Sequence, residues 1–433
     1  MARILFLTQV LPYPLGLSSP EVLDYAVHLA DIIISFVQII VAVGLGYYYL
    51  LLVASLPRRQ TTRSDLLPKR SFAIAIPAHN EEAVLAETIR LLRTQHYPSH
   101  LFDIFVVADH CDDNTAQIAR RNGAIGYQRS EEPRGRKAYA LQWLLERILA
   151  REKQYDALVV FDADSRVDPE FLPVMNQALT QGGPVLQGKH VIAHSEESLF
   201  SRLAAVDMRL NNLLRNQARH NLGLSCRLMG DAMCFVTEVI RRHGWPADSL
   251  GEDREYGLYL LTQGIRIGYV PQAVSFGQAA PGWKEASTQR LRWYGGVFQI
   301  QKKFALKLLR LGLRKRDWAA LDQAAELLLP PLSALALLAV SLAGIQGVWF
   351  SLRPLFPLPV SIGFVLAWVL FPFLGLWIDG APASAYRALV HVPFYLLWRL
   401  WLGFWARVRG ERVRWIRTRR REEIKPPTPE TLP

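Results

Sequence analysis

Three stretches of this chain carry no charged residue for long enough to cross a bilayer, and they constrain the fold more than any other feature. Ile32–Leu56, Leu327–Phe350 and Pro354–Ile378 each exceed the roughly 20 apolar residues that span hydrocarbon. Positive flanks stay on the cytoplasmic side. The first stretch runs into Arg58, Arg59, Arg63, Lys69 and Arg70, and the second follows Lys302, Lys303, Lys307, Arg310, Arg314, Lys315 and Arg316. The long segment between them is therefore expected in the cytosol. The second and third stretches read as a hairpin with only Arg353 in its connection. A fourth apolar stretch, Ser384–Val408, contains Arg387, His391 and Arg399 together with Trp398, Trp401 and Trp405. That mixture predicts a helix lying in the membrane interface rather than a span. Ile300–Leu313 alternates lysines with Phe304, Leu306, Leu308 and Leu309 and is a second interfacial candidate.

Composition narrows the class. The chain has 433 residues, 51% of them hydrophobic, and a net charge of +12. Disorder, collagen and coiled coil are excluded. Three cysteines without a CxxC pair exclude a disulfide scaffold and a structural zinc. The densest basic run is Arg407, Arg409, Arg412, Arg414, Arg417, Arg419, Arg420 and Arg421, directly after the Trp-rich stretch. Basic residues beside membrane sequence point to a lipid surface and a cytosolic tail, not to nucleic acid. The expected layout is a segment 1–30 without an assigned role, a first span at 31–56, a cytosolic domain at 57–299 and an interfacial region at 300–326. Spans at 327–350 and 354–378, an interfacial helix at 384–408 and a basic tail at 409–433 follow.

The middle segment alternates strands with helices. Phe72–Ile76, Phe102–Ala108 and Ala157–Phe161 are apolar strands; Glu81–Gln95, Asn114–Asn122 and Arg136–Arg151 have helical spacing. Near-continuous apolar strands separated by helices predict a parallel α/β sheet covered on both faces. Ligands bind such sheets at the carboxyl ends of the strands. All three strands run into polar residues there: Pro77 to Glu82, Asp109 to Asp113, and Asp162-Ala163-Asp164. Asp112, Asp113 and Asn114 read as helix caps. A lone Asp-x-Asp is more often loop chemistry than a metal site, although paired carboxylates do suit Mg2+ or Mn2+ beside substrate phosphates. Two more motifs follow, Gly251-Glu252-Asp253 before a helix and Gln289-Arg290-Leu291-Arg292-Trp293. Alone, each has a bland reading, as helix-end charge or as a basic amphipathic helix.

The order Pro-x-x-Asn-Glu, Val-x-Asp, Asp-x-Asp, Glu-Asp, Gln-x-x-Arg-Trp resembles the membrane-bound family 2 glycosyltransferases. Cellulose, hyaluronan and chitin synthases and ceramide glucosyltransferase share this pattern, which here runs from about Phe72 to Lys303. The resemblance implies a GT-A fold inserted between transmembrane helices, and inverting transfer from a nucleotide sugar, usually UDP-linked. It implies that Pro77 and Glu81 lie in the first nucleotide loop, that Asp109 meets the base, and that Lys137 and Asp162 lie beside the nucleotide. Asp164 becomes the ligand of Mg2+ or Mn2+, and Asp253 the base. Gln289 and Arg292 face the diphosphate, and Trp293 forms the acceptor platform. Ala108 and Gly251 depart from the family's usual Asp and Thr. His79, His110 and His243 lack metal-ligand spacing, and Cys111 lacks a histidine partner for nucleophilic work.

A scaffold with a degenerate transferase fold competes with this reading, but a scaffold has no need of carboxylates at every motif. Three spans are too few to enclose a polymer channel without oligomers. A membrane lipid, lipid-linked glycan or short glycan is therefore the expected acceptor, and a processive polysaccharide synthase the alternative.

Overall fold

The computed structural model describes residues 19–56, 67–133, 135–279, 282–349 and 352–409. The rest of the segment 1–30 and almost all of the basic tail 409–433 lie outside the described residues, as does the side chain of Arg292. The chain divides into two compact units, 1–50 with 329–372 and 51–328 with 373–433.

The strands are β1 (Phe72–Ala78), β2 (Phe102–Asp109), β3 (Ile125–Arg129), β4 (Ala157–Val160), β5 (Arg166–Val167), β6 (Val185–Ile192), β7 (Met233–Val236) and β8 (Gly268–Gly277). The helices begin with α1 (Ser19–Ala54), α2 (Leu85–Arg93), α3 (Thr115–Arg121), α4 (Lys137–Leu149) and α5 (Phe171–Thr180). Next come α6 (Leu199–Asn211), α7 (Ala218–Asn221), α8 (Thr237–His243), α9 (Glu252–Thr262) and α10 (Trp283–Lys315). The last are α11 (Trp318–Leu328), α12 (Leu332–Val348), α13 (Leu358–Ile378), α14 (Ala383–Ala388) and α15 (Val392–Arg409).

In the larger unit one sheet runs β3-β2-β1-β4-β7-β6-β8-β5. The first four strands are parallel, which aligns the carboxyl ends of β1, β2 and β4. The second half corrects the expectation of an all-parallel sheet. β7 is antiparallel to both β4 and β6, and β5 is antiparallel to β8. Alternate residues of a strand face opposite sides. Accordingly Ile74 and Ile76 join a core with α2 and α5, while Ala73 and Ala75 join a second core with α4, α8 and α9. A third core joins Leu258 and Leu261 of α9 to Ile300, Phe304 and Leu308 of α10 and to Ala319, Ala320 and Ala324 of α11. Gln289–Trp293 and Ile300–Leu313 lie on one 33-residue helix, α10.

The smaller unit contains α12 and most of α1 and α13. Asp24–Ala54 and Leu358–Ile378 are long and apolar enough to cross a membrane. Trp318–Leu328 and Leu332–Val348 pass only if taken together, because Pro330 and Pro331 interrupt the helix there. Within this unit the Gln38 amide donates to the Phe356 carbonyl at 2.8 Å and accepts from the Phe356 N–H at 2.9 Å. That pairing satisfies a fully buried polar side chain among apolar helices.

Candidate active site

The loops after β1 and β2 brace one another. Asn80 and His110 take left-handed backbone angles, φ 55° and 50°. These turns let the Asn80 N–H reach Cys111 Sγ at 3.2 Å and the Asp112 N–H reach Asn80 Oδ1 at 2.9 Å. The Glu81 N–H donates to Thr115 Oγ1 at 2.9 Å, and the Glu82 N–H to Asp113 Oδ2 at 3.1 Å. Asp113 also accepts the Thr115 N–H, the first of α3, at 3.0 Å, while Asn114, the N-cap residue, makes no side-chain cap bond. Burial pushes the Cys111 thiol up to about 11, which makes it structural and not nucleophilic. Asp109 closes β2, and its Oδ1 pairs with the buried Arg129 guanidinium and lies 3.0 Å from His110 Nδ1. Pro77 is the penultimate residue of β1, opposite Val107, just before this loop pair.

A second group gathers at the end of β4. Lys137, at the start of α4, donates to the Asp162 carboxylate and, at 2.7 Å, to the Gly230 carbonyl. Burial works against its ammonium, but Asp162, Glu252 and Asp231 outweigh burial and raise the group above its ordinary value. Asp164 is buried and Asp162 is half-exposed. A Cβ added at Gly230 would lie 3.4 Å from Asp253 Oδ2 and 3.9 Å from Lys137 Nζ. The carboxylate of Asp253 thus stands across one glycine from the Lys137–Asp162 pair.

Asp253 lies in the first turn of α9, and α10 crosses just before it. A Cβ on Gly296 would meet the Gly251 nitrogen at 2.8 Å, so the backbones touch where sequence reasoning found only a substituted threonine. Trp293 lies one turn before this crossing and is partly exposed. Gln289 lies a turn earlier on the same helix, with Arg290 between Asp207 and the Tyr395 ring.

Among the described residues no group of three or more His, Cys, Asp or Glu side chains is placed to hold a metal ion. An all-protein cage is therefore not the fit. Mg2+ or Mn2+ in phosphate chemistry takes one or two carboxylates and completes its shell with substrate oxygens and water. The hard oxygen donors of Asp162 and Asp164 suit that mode.

Sequence reasoning missed Gly230, Asp231 and Arg129. The available signal for the first two was a Gly-Asp pair just ahead of an apolar run; Arg129 had none.

Residues 68–296 match the family described as Glycosyltransferase like family 2, and the chain belongs to that family. It is an enzyme class built on a GT-A-like fold. The chain is 26% identical over 279 residues to YdaM of Bacillus subtilis, a probable glycosyltransferase, matching 62% of this chain and 64% of that protein. It therefore spans less than two thirds of that relative. It is also 26% identical over 403 residues to a beta-monoglucosyldiacylglycerol synthase of a Nostoc species, 86% of this chain and 81% of that one. Its fold is similar to that of the mannosyltransferase PcManGT from Pyrobaculum calidifontis, solved with GDP-Man and Mn2+, at TM-score 0.56 and 18% identity. That likeness covers 83% of this chain and 98% of PcManGT.

Proposed function

We propose that this chain is an inverting, membrane-associated glycosyltransferase that moves a sugar from a nucleoside diphosphate sugar, UDP-linked by the motif order, to a hydroxyl of a membrane lipid. The observation that carries the reading is the meeting of Lys137, Asp162, Gly230 and Asp253. It brings a cation-held carboxylate and a second carboxylate to the same glycine. Asp162 and Lys137 hold the donor, with Pro77, Glu81 and Asp109 lining the nucleotide loops. Asp164 would ligate the ion, which when bound would neutralise charge on the leaving diphosphate.

Asp253 accepts the acceptor hydroxyl proton. The acceptor oxygen bonds to the anomeric carbon from the face opposite the diphosphate. The carbon–oxygen bond to the diphosphate breaks, and its electron pair leaves on the phosphate oxygen. Arg292 offsets that charge, the Gln289 amide donates a hydrogen bond to the phosphate oxygens, and Trp293 stacks on the acceptor. The name of the Nostoc relative supports a lipid acceptor, and the ligands of PcManGT support a metal-bound sugar nucleotide.

The test is nucleotide release from a panel of UDP- and GDP-sugars in lipid vesicles, with Asp253→Asn alongside. A positioned base contributes typically 10²–10⁴-fold. The variant should bind UDP like the parent while transfer falls by at least ~10²-fold. An active Asp253→Asn protein removes Asp253 as the base, and no release from any donor removes the reading.

A further inference from the structure

The turn ahead of β7 carries a buried carboxylate that no motif marks. Asp231 is 1% exposed. Its Oδ1 accepts the Asp162 N–H at 3.0 Å and the Ser165 hydroxyl at 2.6 Å. Its Oδ2 accepts the Ser275 hydroxyl at 2.6 Å and faces His190 Nδ1 at 2.9 Å. These partners come from three separate places: the turn after β4, strand β6 and strand β8. A carboxylate has about four lone-pair positions, and here all four are used. Such a group costs heavily to bury unless it is satisfied, and once satisfied it holds its partners rigidly.

The flanking backbone is constrained as well. Gly230 has φ 83° and Ala232 has φ 54°. A left-handed alanine persists only where its surroundings impose it, and such positions cluster at functional sites. The same three-residue turn offers the Gly230 carbonyl to Lys137 and packs its glycine against Asp253. It touches the donor side through Asp162 and Lys137 and the acceptor side through Asp253.

We propose that Asp231 is a positioning residue that holds the Asp162–Asp164 turn in register with Asp253. This inference rests on the roles given above to Asp162, Asp164 and Asp253. Asp231 itself is too buried to meet substrate and acts through the Asp162 N–H and the Ser165 hydroxyl. Misplacing reacting groups by about 1 Å can cost ~10²-fold in rate.

The experiment compares full-length Asp231→Asn, Ser165→Ala and Asp164→Asn proteins in detergent. Three quantities are read: UDP and GDP affinity with Mn2+ by equilibrium dialysis, separate donor and acceptor KM with kcat, and thermal unfolding. Asp231→Asn should weaken nucleotide binding and lower kcat by ~10²-fold, with acceptor KM within about twofold. Ser165→Ala removes one Oδ1 contact at little packing cost, so it should move the same quantities in the same direction by less. It also answers the question if Asp231→Asn does not fold. A folded Asp231→Asn or Ser165→Ala protein with parental nucleotide affinity and kcat overturns the inference. So does a loss confined to thermal stability. If Asp164→Asn weakens nucleotide binding while Asp231→Asn does not, the positioning role alone fails. If Asp164→Asn binds nucleotide and Mn2+ like the parent, the reading of the donor turn fails first.

Discussion

Glu326→Gln should destabilise this protein far more than any surface charge change, because Glu326 is a buried anion that faces four arginines, two of them, Arg219 and Arg254, buried as well. Its Oε1 lies 3.2 Å from Arg215, 3.3 Å from Arg254 and 3.7 Å from Arg227, and its Oε2 lies 2.7 Å from Arg219. Arg219 is fully buried and also pairs with Asp322 at 2.7 Å. Each of these Glu326 contacts is worth about 4–6 kcal/mol of attraction at an effective dielectric near 20. Desolvation and arginine–arginine repulsion offset most of that sum. Burial, then Arg215 and Arg254, already push the Arg227 guanidinium well below its ordinary value, against the pull of Glu326 and Asp253. Four arginines against Glu326 and Asp322 leave a local charge of 4 − 2 = +2, and neutralising Glu326 makes it 4 − 1 = +3. Removing one partner of a buried ion pair costs about 3–5 kcal/mol, a large share of the roughly 5–15 kcal/mol that holds a fold. At about 1–2 °C per kcal/mol for a chain of this size, Tm should fall by about 3–10 °C. Scanning fluorimetry in detergent at one heating rate reads this, since such unfolding depends on scan rate. Glu87→Gln is the control: it breaks the exposed Arg90 pair at 2.8 Å and should cost under ~1 kcal/mol. A Glu326→Gln protein that melts with the Glu87→Gln control would refute the electrostatic argument.

Three further outcomes are expected. Chelation with EDTA should abolish transfer and Mg2+ or Mn2+ should restore it, while Asp164→Asn should need more metal for the same rate; full activity in EDTA would remove Asp164 as a ligand. Lys137→Met removes the cation between Asp162 and Gly230; donor KM should rise at least ~10-fold with acceptor KM unchanged, since a charged hydrogen bond is worth about 1.5–3 kcal/mol. Asp207 sits between Arg290 and Arg399. Burial pushes its carboxyl up, but Arg399, Arg290 and Arg215 outweigh burial and hold it well below the usual range. Because the folded value is depressed, this stabilisation is complete above the ordinary Asp range near ~pH 4. It is lost as pH falls through the lower folded value. Asp207→Asn should therefore lower Tm at pH 7 and flatten its fall below about pH 4; an unchanged acid limb would show that the pair does not contribute.

The first and third membrane stretches were legible because an uncharged run of bilayer length has few other uses, and the helices there, Asp24–Ala54 and Leu358–Ile378, are long and apolar enough to cross; over the second, Leu332–Val348 reaches that only together with Trp318–Leu328. β1, β2 and β4 were legible for a similar reason: a parallel strand buried on both faces must be apolar throughout, and its polar end marks the ligand side. The ordered carboxylates then pointed to the family. Tertiary structure alone decided the rest. β7 is four residues long, too short to show a period, and its antiparallel insertion between β4 and β6 depends on pairings far apart in sequence. Gly251 read as a lost threonine until Gly296 of α10 was found against its backbone. Asp231 reads locally as a turn residue; it becomes a hub because the sheet order brings Asp162, His190 and Ser275 to it from 69, 41 and 44 residues away. Glu326 reads as one acid on an amphipathic helix, and only packing surrounds it with arginines from α7, α9 and the segments beside them. Local pattern records how a residue meets its own strand or helix. It carries no record of which distant donors the topology delivers to a buried carboxylate, and here those deliveries hold the proposed site together.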